Sequence, residues 1–117
     1  INITPQINHS ISTLGLHSGW CTAFIPHTTA ALTINEGADP AVLTDLLNFL
    51  HRLVPHDGPY THREGNSDAH IKASLLGSSL HLIVTGGKIE LGTWQAVLLG
   101  EFDGPRRRMV TVLAGPA

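Results

Sequence analysis

Cysteine is nearly missing from these 117 residues: Cys21 stands alone, which excludes an intramolecular disulfide and fits a reducing compartment. Its flanks, WCTAFI, read as a strand, so the thiol is expected to be buried and inert rather than nucleophilic. No stretch approaches the roughly 18 apolar residues of a membrane span, and no charged segment leads into an apolar one as in a signal peptide. A soluble, cytoplasmic protein is the expectation. Charge is scarce as well. Seven Lys plus Arg against nine Asp plus Glu give a formal net charge of -2, too balanced to recruit nucleic acid or an anionic membrane by bulk electrostatics. Internal repeats and low-complexity segments are absent. A chain of this length makes one domain, near the size at which oligomer contacts help to cover apolar surface.

What is present alternates between helix and strand signals. Thr4 followed by Pro5 supplies a capping hydroxyl and a proline at the first helical position, and Ile7, Ile11 and Leu14 continue at helical spacing; a helix over 5–17 is predicted. Gly19 to Ile25 is rich in strand formers, and Ala30 to Asn35 sets Leu32 and Ile34 opposite Thr33 and Asn35. PHTT between them makes the turn that carries His27. Asp39 caps a second helix starting at Pro40, with Val42, Leu46, Phe49, Leu50 and Leu53 as its apolar stripe. From Val54 to Asn66, VPHDGPYTHREGN lacks periodicity, and a loop of that length in a compact domain is more often functional than idle. A short helix capped by Ser67 and closed by Gly77 follows.

The last third is strand-like. Ser79 to Thr85 alternates with Leu80, Leu82 and Val84 inward, Gly86-Gly87 turns, and Thr93 to Phe102 is apolar on both faces, as in a central strand or a subunit contact. Asp103-Gly104-Pro105 turns the chain into a final strand, Arg106 to Ala114, which predicts an antiparallel hairpin. The sum is an α+β fold: an antiparallel, jelly-roll-like β-sandwich with two or three helices packed against it.

Three of the eight histidines stand in polar breaks: His27 in IPHTTAAL, and His62 and His70 in THREGNSDAHIKA. Imidazole holds metals, carries protons and binds phosphate near neutral pH. The spacing of eight between His62 and His70 does not by itself specify zinc, which needs three protein ligands plus a water in an open site. His27 could be the third only if the fold brings its turn close. His70 falls in the first turn of the Ser67 helix, where free N–H groups and the macrodipole favour an anion. Glu64, between the two histidines, is the leading general acid or base, with Asp39, Asp45 and Asp103 behind it; Asp39 has a full account as a cap. Asn35 and Glu36 follow a strand and either orient ligands or tip a turn. Trp94 reads as core, and Gln95 as an amide on the opposite face that needs partners. Arg106 and Arg108 share a strand face and could bind a phosphate or a neighbouring subunit's carboxylate. His9, His17, His51, His56 and His81 read as structural or solvated.

The strings PHTTAALTINE, HREGN, HIKASLLG, LGTWQ and EFDGPRRR, in this order, resemble the YjbQ-like family, whose members are sometimes named secondary thiamine-phosphate synthases. The resemblance covers nearly the whole chain as one domain, 1–117. It implies a homotrimer of β-sandwich subunits with a histidine-lined cleft for metal, zinc first, or oxyanion. His27, His62 and His70 match its histidines, with Asn35, Glu36 and Asp39 matching the NE…D segment and Trp94 and Gln95 the GTWQ motif. It also implies a further N-terminal strand ahead of INITPQI. The implied activity joins a pyrimidine diphosphate to a thiazole phosphate with loss of pyrophosphate, as a weak or secondary activity.

Two readings follow. In one, the protein is an enzyme acting on a phosphorylated small molecule, with His62, His70 and Glu64 catalytic, His27, His62 and His70 as metal ligands, and Asn35, Glu36, Asp39, Gln95, Arg106 and Arg108 binding the ligand. In the other, it is a non-catalytic trimeric scaffold whose histidines bind metal for assembly.

Overall fold

The computed structural model describes residues 1–117. In chain order the elements are α1 (Thr4–Leu14), β1 (Gly19–Phe24), β2 (Ala30–Glu36), α2 (Pro40–Leu53), α3 (Ser67–Leu76), β3 (Ser79–Thr85), β4 (Lys88–Ile89), β5 (Gln95–Glu101) and β6 (Thr111–Pro116). All pairings are antiparallel, in a four-stranded sheet of order β4-β3-β1-β6 and a two-stranded sheet of β2 and β5. Ile1–Ile3 runs beside β5, with Ile3 N–H donating to Val97 O at 2.9 Å and Leu99 N–H to Ile1 O at 2.8 Å. The α+β sandwich with three helices is therefore the architecture expected. No helix is long and apolar enough to cross a membrane.

Both sheets and α1 share one core. Ile3, Ile7 and Ile11 meet Cys21, Ala23 and Ile25 of the β1 region, Leu82 and Val84 of β3, Leu32 of β2, and Val97 and Leu99 of β5. The four-residue steps put Ile7 and Ile11 on one face of α1 in line with Ile3 at its N-cap, and Ile11 and Leu32 are fully buried. Leu80, Leu82 and Val84 point inward, as the alternation in β3 requires. Cys21 is fully buried, and burial pushes its thiol pKa up, which suits an inert side chain.

Several local expectations are corrected. The hairpin between residues 93–102 and the last strand does not form: β5 pairs with β2 while β6 crosses to the other sheet and pairs with β1. The cause is the nine-residue passage from Phe102 to Val110, which carries the chain from one sheet to the other, so the final strand begins at Thr111 and not at Arg106. α1 stops at Leu14 because Gly15 takes a left-handed conformation (φ 69°). Thr4 does not cap it; Asn2 Oδ1 accepts from Thr4 N–H, while Thr4 Oγ1 accepts from Val97 N–H. Nor does Ser67 cap α3, whose N-cap position is Asn66, without a side-chain capping bond. Asp39 does cap α2, accepting from Ala41 N–H at 2.9 Å. On that helix only Leu50 is buried, and Phe49 and Leu53 of the expected stripe face outward. Trp94 is 66% exposed, not core, because β5 begins only after it.

Two glycines are separable by their surroundings. Gly15 has φ +69° and open space around it; Gly19 has φ +154°, and an added Cβ would lie 2.0 Å from Gly115 O across the β1–β6 pairing. Gly15→Ala is therefore expected to lower stability by about 1 kcal/mol through backbone strain alone. Gly19→Ala, which must also push the strands apart, is expected to lose roughly 3 kcal/mol. Urea unfolding of the two variants gives the comparison, and equal losses would contradict it.

Candidate functional site

The three histidines reach one region from three segments. His27 sits in the turn between β1 and β2, His62 in the loop after α2, and His70 on α3. That region is built by the way α3 meets the sheets: the helix packs on β2, and its end is stitched down where Leu32 N–H donates to Gly77 O and Ile25 N–H to Ser78 O. As a result His27, Thr28, Ala30, His70, Ala73, Ser74, Gly77 and Ser78 line a shared open cavity of about 410 Å³. His62 meets His70 edge to face, with ring centroids 5.3 Å apart and planes at 80°. Glu64 Oε2 is 3.8 Å from His62 Nε2, and both side chains are substantially exposed.

His27 is held by the backbone. Its Nε2 accepts from Met109 N–H at 2.9 Å, which leaves Nδ1 to carry the ring proton as a free donor. Two of the three arginines that precede Met109 are committed likewise. Arg108 is bidentate on Glu101, Nε to Oε1 at 2.6 Å and Nη2 to Oε2, and Nη2 also donates to Thr29 Oγ1 at 2.8 Å. Arg106 holds Asp103, Nη2 to Oδ2 at 2.9 Å, and the same oxygen accepts from Asn66 Nδ2 at 2.8 Å. These pairs tie the segment leaving β5 to the PHTT turn and to the start of α3. They also correct the expectation of Arg106 and Arg108 as neighbours on one strand face: neither lies in a strand, and both charges are already paired. Asn66 Oδ1 is buried without a partner, an acceptor left open at the foot of α3.

The remaining predicted ligand contacts lie elsewhere. Asn35 Oδ1 accepts from Glu36 N–H, Glu36 Oε2 from Ala38 N–H and Asp39 Oδ1 from Ala41 N–H, which shapes the turn into α2. None of the three lines the His27–His70 cavity. Gln95 is exposed rather than buried, and its Oε1 accepts from Gly92 N–H at 2.8 Å to close the turn before β5.

A second cluster went unread in the sequence. Lys72 is 2% exposed and donates from Nζ to Asp68 Oδ2 at 2.9 Å and to His51 Nδ1 at 3.1 Å, while Asp68 Oδ1 receives His56 Nδ1 at 3.0 Å. Asp68 and Lys72 are one helical turn apart on α3, so the i, i+4 spacing was the available signal. Burial pushes the Asp68 carboxyl up, but the hydrogen bonds from Lys72 and His56 outweigh it and the pKa is lowered. Glu101 is likewise lowered, first by the Arg108 hydrogen bond, against burial, with help from Asp103 N–H.

The fold and site define a small α+β sandwich protein with a histidine cluster at the junction of a helix, a turn and a long loop. A family model described as UPF0047 protein YjbQ-like matches residues 1–115, and the chain belongs to that family. It is 53% identical to UPF0047 protein MJ1081 of Methanocaldococcus jannaschii over 92% of this chain and 78% of the relative. With UPF0047 protein YugU of Bacillus subtilis it shares 44%, over 92% and 83%. Among solved structures, an uncharacterized YjbQ/UPF0047 protein of Clostridium acetobutylicum superposes with a TM-score of 0.94 at 50% identity, covering 97% of this chain and 88% of that one. A hypothetical protein from Aeropyrum pernix gives 0.93 at 36% identity, over 100% and 88%.

The lowered carboxyl values set an acid limit on stability. A group held below its unfolded value binds its proton less readily when folded, so its contribution is complete above the ordinary carboxylate range and is lost as pH falls through the folded value. Urea stability is expected to be level above about pH 5 and to fall steeply below about pH 4. Removing the cation with Lys72→Met, which strands Asp68, is expected to cost about 3–5 kcal/mol at pH 7. A loss under 1 kcal/mol would show that the pair is not buried as described.

Proposed function

We propose that this chain binds and acts on a phosphate-bearing small molecule at the cluster of His27, His62 and His70. The observation that carries the reading is convergence: His27 and His70 line one cavity, and the His62 ring abuts His70 at 5.3 Å. Imidazole N–H groups converging from separate segments suit an oxyanion near neutral pH. Asp68 stands in the first turn of α3, and its charge is spent on Lys72 and His56. Glu64 beside His62 is the acid or base of this scheme.

The finer form of the proposal is a weak thiamine-phosphate synthase activity. Charge building on a departing pyrophosphate would be stabilised by placed donors, with little covalent chemistry asked of the protein. Zinc fits less well within one chain: no three His, Cys, Asp or Glu side chains lie close enough to hold a metal, and His27 Nε2 is taken. Self-association as a homotrimer belongs to the same proposal. What supports it is the outer face of the larger sheet, where Trp20, Phe24, Ile83 and Leu113 are exposed together, a patch of the kind that marks protein contacts.

Two measurements check this. Titration calorimetry with pyrophosphate is expected to show binding that His62→Ala and His70→Ala each weaken about tenfold, the worth of one hydrogen bond to a charged group. Unchanged affinity in both variants would end the reading. Sedimentation velocity is expected to return three times the 12.5 kDa chain mass with or without a chelator. Dissociation on chelation would favour instead a scaffold assembled by metal.

A further inference from the structure

The loop that carries His62 and Glu64 has almost nothing holding it. Between Pro55 and Gly65 no residue is buried, and no backbone hydrogen bond leaves the segment. The bonds of Tyr60, N–H to Gly58 O and Oη to Pro55 O, stay within it, as does the His62–Glu64 pair. One side-chain hydrogen bond reaches another element, from His56 Nδ1 to Asp68 Oδ1 at 3.0 Å.

We infer that His56 is a positioning residue: through Asp68 it holds the 55–65 loop on α3 so that His62 meets His70. The anchor is well suited to this. Asp68 Oδ2 is occupied by the buried Lys72 ammonium, itself bonded to His51 at the end of α2, so the carboxylate is fixed and offers Oδ1 alone to His56. The two-residue step along α3 then sets the distance between anchor and site, because Asp68 and His70 share one helix. His56 itself is 70% exposed. Its ring contributes a directed bond rather than packing, and its removal leaves the core untouched.

The inference rests on the proposed phosphate site only for its effect on affinity; the placement of His62 is read independently. The test uses the full chain, its His56→Ala and His56→Gln variants, and two readouts. One is the NMR cross-relaxation between the His62 and His70 ring protons; the other is calorimetric affinity for pyrophosphate. His56→Ala is expected to lose the ring-to-ring signal and to bind pyrophosphate about tenfold more weakly, with the amide spectrum of the sheets unchanged. The glutamine amide can still donate to Asp68, so His56→Gln is expected to keep the ring-to-ring signal and to stay within about twofold of the parent affinity. A ring-to-ring signal that survives in His56→Ala, or one lost equally in both variants, overturns the positioning role. If the parent protein binds no pyrophosphate, the phosphate reading fails, and the ring-to-ring signal still decides this one.

Discussion

The buried pair of Lys72 and Asp68 is the constraint on which the site depends. An ammonium and a carboxylate withdrawn from water each carry a desolvation penalty that their mutual attraction only offsets, so such a pair is a poor source of net stability. What it provides is direction. Once Lys72 is buried it must be met by acceptors, and the acceptors present are Asp68 one turn away and His51 from α2. Once Asp68 is buried its second oxygen must also be met, and His56 meets it. The need to satisfy each buried polar group in turn links α2, α3 and the loop after α2 through side chains alone. This matters because α2 contributes only Leu50 to the buried set.

The arginines follow the same logic on the other side of α3. Arg108, bidentate on Glu101 and bonded to Thr29, closes the passage from β5 toward β6 against the PHTT turn. Arg106 and Asn66 share Asp103, which fixes that passage to the foot of α3. Arg106 and Arg108 thus clamp the frame around the three histidines.

Legibility in the sequence divided along the same line. Elements governed by local periodicity could be read: the isoleucines of α1, the alternation of β3 and the Asp39 cap each depend on neighbours within a few residues. So could the three histidines that the fold brings to one region, since their sequence neighbours are polar. What could not be read was anything set by contacts across the chain. Thr4 looks like a cap until Val97 N–H claims its hydroxyl. The apolar run of 93–102 next to a turn looks like half a hairpin, and only the two-sheet topology sends β6 to β1. Trp94 and Gln95 look buried because the strand pattern extends over them, yet the strand starts one residue too late to turn Trp94 inward. Asp68 and Lys72 look like a routine surface pair on a helix, and their burial is a property of what packs over them.

The placement of the site on α3 follows from helix geometry. Residues two apart on a helix point to nearly opposite sides, since each step turns the chain by about 100°. Asp68 and Lys72 therefore face inward while His70 and Ser74 face the cavity, and one ten-residue helix serves as anchor and as site wall at once. This explains why α3 has no single apolar stripe: a helix with both sides in use cannot be amphipathic in the ordinary sense. It also explains why the loop must be tethered at His56, on the anchor side, to deliver His62 to the cavity side. The loop passes around the helix, so the firmness of the buried pair on one face sets the precision of the histidine contact on the other.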